Sequence, residues 1–281
     1  MFLVLFIIMK LANIKFKKNF STKRVVKIIS GLSNFDLNYI VRVVKAAQIG
    51  RADYVDIAAN TEIISVVKSC TKIPICVSSI DSIDLYRCIV YGADMVEIGN
   101  FDFLDSQGIV FSGHQIIQLA QEIRLLLPNS IICVTIPHRL LLDKQMKLAS
   151  NLKSIGICMV QTEGLSTKLL YRSIANNYIS HSIHKASAAL SSSYAISQSI
   201  DIPVISSSGI NSISALIAIA YQASGVGIGS LLKNFNTIYE MSNCISDIVA
   251  SLSYYIYGLP QKKSLKIHKC VNFYIQISVY I

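Results

Sequence analysis

The sequence predicts a (β/α)8 barrel of parallel strands, and three observations carry that expectation. Eight short, nearly continuous apolar runs rich in β-branched residues recur along the chain, as expected of parallel strands covered on both faces. Segments with helical periodicity alternate with them throughout. One strand pattern also repeats: "ADYVDIAA" from Ala52 returns as "ADMVEIGN" from Ala93, each copy placing one carboxylate among apolar residues.

The eight runs span residues 27–32, 54–59, 73–79, 95–100, 131–138, 157–164, 202–210 and 225–230. Between them, Asp36 is placed to cap a helix that stops before Gly50, and Ser82 one that stops before Gly92. Ser112 and Gln115 have the spacing of a capping box ahead of a helix that ends at Pro128. Further helical patterns cover residues 143–152, 186–199, 212–222 and 234–252. An open doubly wound sheet is the competing architecture. It calls for a glycine-rich turn after the first strand, and "ISGLSNFD" lacks G-x-G-x-x-G.

With 281 residues, 52% of them apolar and 15% charged, the chain suffices for one sizeable core and is neither disordered nor fibrous in composition. The barrel is expected over residues 25–252, with an apolar then basic appendage at 1–24 and a basic then apolar one at 253–281. The formal charge of +10 sits at the ends. Seven basic residues, Lys27 included, precede Asp36 without an acid, and four lysines follow Asp247, again without one. The body between carries fifteen basic against sixteen acidic residues, which argues against a nucleic-acid partner. The basic ends read as solvated tails.

"MFLVLFIIM" is nine residues long, well short of the roughly 20 that span a bilayer, and it lacks the flanks of a signal peptide. The C-terminal "CVNFYIQISVYI" is also too short, so no membrane span is expected. Seven cysteines without a Cys-x-x-Cys pair read as buried thiols in a reducing compartment, and no metal site is expected. No cofactor is indicated.

Aligning the repeat puts Asp56 opposite Glu97, and extending it to "GICMVQTEG" puts Gln161 in the same place. These fall on strands two, four and six, and alternate strands of such a barrel share interior layers. A carboxylate facing the helices would be buried in hydrocarbon at high cost. Facing the mouth it meets water, ligand or a partner. One reading is structural: both acids pair with buried hydroxyls or a basic residue and tie the barrel together. The other is catalytic: neighbouring carboxylates in a partly dry site push their proton affinities apart, giving one acid and one base. Ser30, Ser78, Thr135 and Ser206 are hydroxyls near the ends of odd strands. His138 closes strand five, and Glu163 follows Gln161 by two residues, on the same side if the strand persists. Lys185, ahead of the helix at 186–199, is a candidate anion or carbonyl partner at the end of a long connection that reads as a lid.

"SSSGI" ends strand seven and "GIGS" ends strand eight. Loops after these two strands are where this fold commonly holds phosphate, through amides that small residues leave accessible. Ser208, Gly209, Ile210, Gly229 and Ser230 are the candidates, with tight turns as the plain alternative.

Six ordered blocks, "KIISGLSNFD", "KAAQIGRADYVDIAAN", "IPICVSS", "GADMVEIGNFD", "VTIPH" and "VQTEG", resemble the family called hypothetical chloroplast open reading frame twenty-three. The resemblance runs from about Lys27 to Leu252 and implies a plastid-encoded or cyanobacterial protein with a barrel of the ribulose-phosphate-binding type; the plastid stroma is the expected location. It carries no catalytic assignment. The last two loops also look like those of indole glycerol phosphate synthase, thiazole synthase and acylmannosamine-phosphate epimerase. Together these features point to a small phosphorylated metabolite as partner, and to isomerase, epimerase or lyase chemistry by the carboxylates. The alternatives are a noncatalytic metabolite-binding or scaffold barrel, and a protein that binds nucleic acid or a membrane surface through its basic ends. A homo-oligomer is left open.

Overall fold

The computed structural model describes residues 19–164 and 178–257. Both apolar terminal stretches, the C-terminal lysines and residues 165–177 of the long connection lie outside them. The strands are β1 (Val25–Ile29), β2 (Tyr54–Ala58), β3 (Ile75–Ser79), β4 (Met95–Ile98), β5 (Ile131–Ile136), β6 (Met159–Thr162), β7 (Val204–Ser207) and β8 (Gly225–Ile228). They form one closed parallel barrel in sequence order, the predicted fold.

The helices are α1 (Leu37–Ile49), α2 (Thr61–Cys70), α3 (Ser82–Val90), α4 (Phe101–Ser106), α5 (Gly113–Leu126), α6 (Leu142–Ser154), α7 (Tyr178–Ser199), α8 (Ser212–Ala220) and α9 (Ile238–Tyr257), with a 3-10 turn at Leu232–Asn234. Asp36 caps α1 by accepting from the amides of Asn38 and Tyr39, and Ser112 with Gln115 forms the capping box of α5. The cap of α3 is Asp81 rather than Ser82, because its carboxylate reaches the Ile83 and Asp84 amides. Neither α2 nor α4 was expected. The β-branched "TEIISVVKSC" of α2 has a strand-like composition, yet Asn60 caps it as a helix and it buries Ile63, Ile64 and Val67. Lys185 lies well inside α7 rather than ahead of a helix, and α9 continues five residues past Leu252.

Two apolar clusters follow from the alternation of strand side chains. The larger fills the layer between strands and helices, with Ile28, Ile57, Val77, Val96, Val134 and Val226 among its strand residues. The smaller plugs the barrel interior with Val25, Tyr54, Cys76, Met95, Met159 and Ile205. The next inward residues along the strands are therefore polar, and they form the site. Burial pushes the interior thiols of Cys76 and Cys133 well above the ordinary cysteine range, which leaves them unreactive.

Barrel closure depends on Gly225, where β8 meets β1. A Cβ there would lie 2.5 Å from the Val25 carbonyl oxygen and 2.6 Å from the Val25 Cβ. Gly225→Ala is expected to destabilise the protein by about 1–3 kcal/mol through overpacking, read as a lower midpoint in urea unfolding. An unchanged midpoint would show that the β1–β8 seam yields freely.

Candidate functional site

The centre of the site is a residue the charge count had placed among the solvated tails. Lys27, in the middle of β1, has no exposed surface, which corrects that expectation. It alternates with Val26 and Ile28 of the outer core, so its stem runs into the barrel. Its ammonium lies 2.9 Å from Asp56 Oδ2 and 2.5 Å from Glu97 Oε2. It also donates to Gln161 Oε1 at 2.8 Å. All three N–H donors are thereby used.

The three predicted residues of strands two, four and six do converge. Gln161 Nε2 donates back to Glu97 Oε1 at 2.8 Å. Ser78 Oγ donates to Asp56 Oδ1 at 2.5 Å, and Thr135 Oγ1 to Glu97 Oε1 at 3.3 Å. Ser206 is different: Ile205 belongs to the inner cluster and Val226, its register partner, to the outer one, so Ser206 faces the helices. Gly99 stays side-chain-free because a Cβ there would collide with Thr135.

One cation thus faces two carboxylates in a dry interior, and the charge does not balance. Burial opposes the Lys27 charge, but Asp56 and Glu97 outweigh it and hold its pKa well above the usual lysine value. Burial pushes Asp56 up to about 6; Lys27 counters this and Glu97 adds to it. The cluster therefore takes up an extra proton as pH falls through about 6.

Glu163 sits just past β6, buried, at the mouth. Its Oε2 accepts the Asp102 amide at 3.0 Å, and Asp102 Oδ1 in turn accepts the His138 amide at 3.2 Å. Burial, reinforced by the Asp102 carboxyl, raises Glu163 well above the ordinary carboxylate range, which favours its protonated form. Asp102, at the start of α4, was missed by the sequence reading although it closes "GADMVEIGNFD", one of the six family blocks. Lys185 joins neither group: its main-chain carbonyl packs against Gly209, where a Cβ would lie 2.2 Å from it.

The candidate phosphate loops lie at the same end of the barrel. Ser208 and Gly209 both have positive φ, at 89° and 73°. The 3-10 turn follows Gly229 and Ser230, the position of the short extra helix that completes such sites. Among the described residues the amides of Gly209, Ile210, Gly229 and Ser230 donate to no backbone carbonyl. Asn211 occupies the first amides of α8, accepting from Ile213 and Ser214. Lys27 is in register with Gly227, so Gly229, the next inward position, is roughly 7 Å further along the strand.

On the opposite side, a cavity of about 670 Å³ opens between the loops after β4 and β5 and α7, with Asp102, His138, Leu141, Gln145 and Ser192 in its wall. No cluster of three potential metal ligands occurs among the described residues, and none of their helices is long and apolar enough to cross a membrane.

Fold and site together define a parallel barrel with a charged interior that opens toward small-residue loops after its last two strands. The chain belongs to the family described as "Protein of unknown function (DUF561)", whose profile matches residues 11–257. It is 43% identical to "Uncharacterized protein ycf23" of Antithamnion sp., covering 93% of this chain and 99% of that protein. The protein of the same name from Porphyra purpurea is 41% identical over 85% of this chain and 89% of its own length. The family resemblance read from the six blocks is therefore borne out. Among solved structures, 3-hexulose-6-phosphate synthase superposes with a TM-score of 0.58 at 11% identity, covering 81% of this chain and 99% of that one. Thiamine phosphate pyrophosphorylase from Pyrococcus furiosus gives 0.55 at 15%, covering 84% and 98%. The (S)-3-O-geranylgeranylglyceryl phosphate synthase from Thermoplasma acidophilum, in complex with sn-glycerol-1-phosphate, gives 0.54 at 15%, covering 85% and 98%. These likenesses show the fold.

Removing Lys27 leaves two carboxylates facing each other without a cation. Lys27→Met is expected to cost about 3–5 kcal/mol at neutral pH, and less at mildly acidic pH, where Asp56 takes up a proton. Urea unfolding at the two pH values measures it; equal losses at both would contradict the charge imbalance. Asp56 gives a second check. Its folded value of about 6 exceeds its ordinary 3.8, so the folded state binds that proton more tightly. The associated stability is full below 3.8 and is lost as pH rises through about 6. Asp56→Asn should flatten this part of the stability–pH curve, and an unaltered slope would remove Asp56 as its source.

Proposed function

We propose that the protein binds a small phosphorylated metabolite across the C-terminal mouth of the barrel and moves protons on it, as in isomerisation, epimerisation or lyase cleavage. The observation that carries this reading is the shared address of two features. The free amides of the loops after β7 and β8 stand at the same end of the barrel as the Lys27 cluster, one inward step beyond it on β8. The phosphoryl group would accept from Gly209, Ile210, Gly229 and Ser230, with Ser208 adding a hydroxyl. The carbon end would then reach toward Gln161 and Glu163.

In this arrangement Glu163 delivers a proton, since burial and the Asp102 carboxyl favour its protonated form. Asp56 and Glu97 tune the interior, and Lys27 stabilises negative charge that develops near Gln161. His138 lies beside Asp102 and orients it through its amide. The plastid stroma is the proposed location, in keeping with the algal relatives. A noncatalytic barrel with the same ligand is favoured by one observation: Lys27, Asp56 and Glu97 are almost inaccessible and fully paired, as befits a structural tie.

A thermal-shift panel of sugar phosphates and other phosphate esters separates these readings. A true ligand at about 100 times its dissociation constant adds about 2.7 kcal/mol, a rise of roughly 5–10 °C for a chain of this size. Gly229→Val should abolish that rise, and Glu163→Gln should keep it while losing turnover of the same compound. Turnover retained in Glu163→Gln would remove the acid from the mechanism. A panel without any shift would remove the phosphorylated ligand.

A further inference from the structure

We propose that the face of the barrel opposite the mouth is a docking surface for an anionic lipid bilayer, through cations and exposed apolar side chains at the C-terminal ends of α1, α2, α3 and α5. It goes beyond the phosphate reading, because none of its residues belongs to the mouth.

All strands are parallel, so the helices between them run back from the mouth, and their C-terminal ends make the far face. Arg51 follows α1 there, Lys68 ends and Lys72 follows α2, and Arg87 stands in the last turn of α3; all four are exposed. A basic residue in a last turn complements the helix dipole, which accounts for Lys68 and Arg87. It does not account for Arg51 and Lys72, which lie in loops. The acids of this face are engaged: Asp53 is buried and accepts from Asn19 and the Val26 amide, Asp94 accepts the Ile75 amide, and Asp201 pairs with Lys153 at 2.6 Å. The mouth end is the reverse, with Glu62, Asp84, Asp102, Asp143 and Glu240 in first turns. Charge is thus polarised along the barrel axis.

Charge alone would suit any polyanion, and a second observation selects the bilayer. Ile49, Val90, Tyr91 and Leu125, at the ends of α1, α3 and α5, are 58–82% exposed. A phosphate backbone offers such side chains nothing. A bilayer takes them into its headgroup boundary while its anionic lipids meet the surrounding cations. The chain also enters and leaves at this face. Asn19 donates to Asp53 at 2.6 Å. α9 passes the end of α1, where a Cβ on Gly50 would lie 2.6 Å from Ile245, and continues to Tyr257. Outside the described residues the sequence repeats the same pairing of apolar and basic residues: "MFLVLFIIM" precedes four lysines, and four more lysines precede "FYIQISVYI", with no acid in either stretch. Docked this way, the barrel turns its mouth toward solvent.

The test is sedimentation of the full chain with vesicles of phosphatidylglycerol and phosphatidylcholine in equal parts, and with vesicles of phosphatidylcholine alone. Binding to the mixed vesicles is expected to be at least about tenfold stronger, and to weaken as salt is added. Lys72→Glu with Arg87→Glu should reduce it at least about tenfold, and Val90→Ser with Leu125→Ser should reduce it without touching a charge. Lys144→Glu with Lys147→Glu, exposed on α6 away from this face, is the control and should leave it within about twofold. Equal binding to neutral vesicles, no binding, an equal loss in the control, or indifference to both face variants in folded protein would each overturn the surface. Release from the vesicles by duplex DNA at matched phosphate concentration would overturn it in favour of nucleic acid.

Discussion

The buried ammonium of Lys27, held between Asp56 and Glu97, is the constraint on which the rest of the barrel interior depends. Several kcal/mol of desolvation per ion are offset only when every donor and lone pair finds a partner. That requirement explains the hydroxyls of Ser78 and Thr135, the amide of Gln161 that bonds both Lys27 and Glu97, and the bare Cα of Gly99 against Thr135. Below the cluster the interior is apolar and plugged. Above it the polar residues continue to Glu163 and the mouth. The imbalance of one cation against two acids raises the proton affinity of Asp56 to about 6, a value set by its neighbours rather than by water.

The mouth itself is divided. Free amides after β7 and β8 suit an anion, whereas the cavity walled by Asp102, His138 and Leu141 offers mainly apolar surface. α7 joins the two halves: its Lys185 carbonyl braces Gly209, and its next turn lines the cavity. Glu163 is buried between the halves, accepting the Asp102 amide, and its carboxyl is held well above the ordinary range.

Much of this was legible in the sequence because it is local. Strand period, helix caps and the repeated carboxylate are read within ten residues, and they brought Asp56, Glu97 and Gln161 to one layer. Lys27 was misread for the complementary reason. A linear charge count put it with the lysines of the N-terminal segment, although "VVKII" places it at an inward position between β-branched neighbours. A basic residue was the partner that the two acids required. Asp102 was hidden because its role passes through main-chain amides, which no residue pattern reports. The helix at Thr61–Cys70 was hidden because packing of Ile63, Ile64 and Val67 overrides a strand-like composition.

Carbon-13 NMR of the aspartate and glutamate carboxyls, titrated across mildly acidic to neutral pH on the folded protein, tests the central claim most directly. The account predicts one buried aspartate signal titrating near 6, well apart from the exposed acids, and its disappearance in Asp56→Asn. A spectrum in which every aspartate titrates in the ordinary range near 4 would contradict the account, because the two acids would then share Lys27 without raising each other's proton affinity.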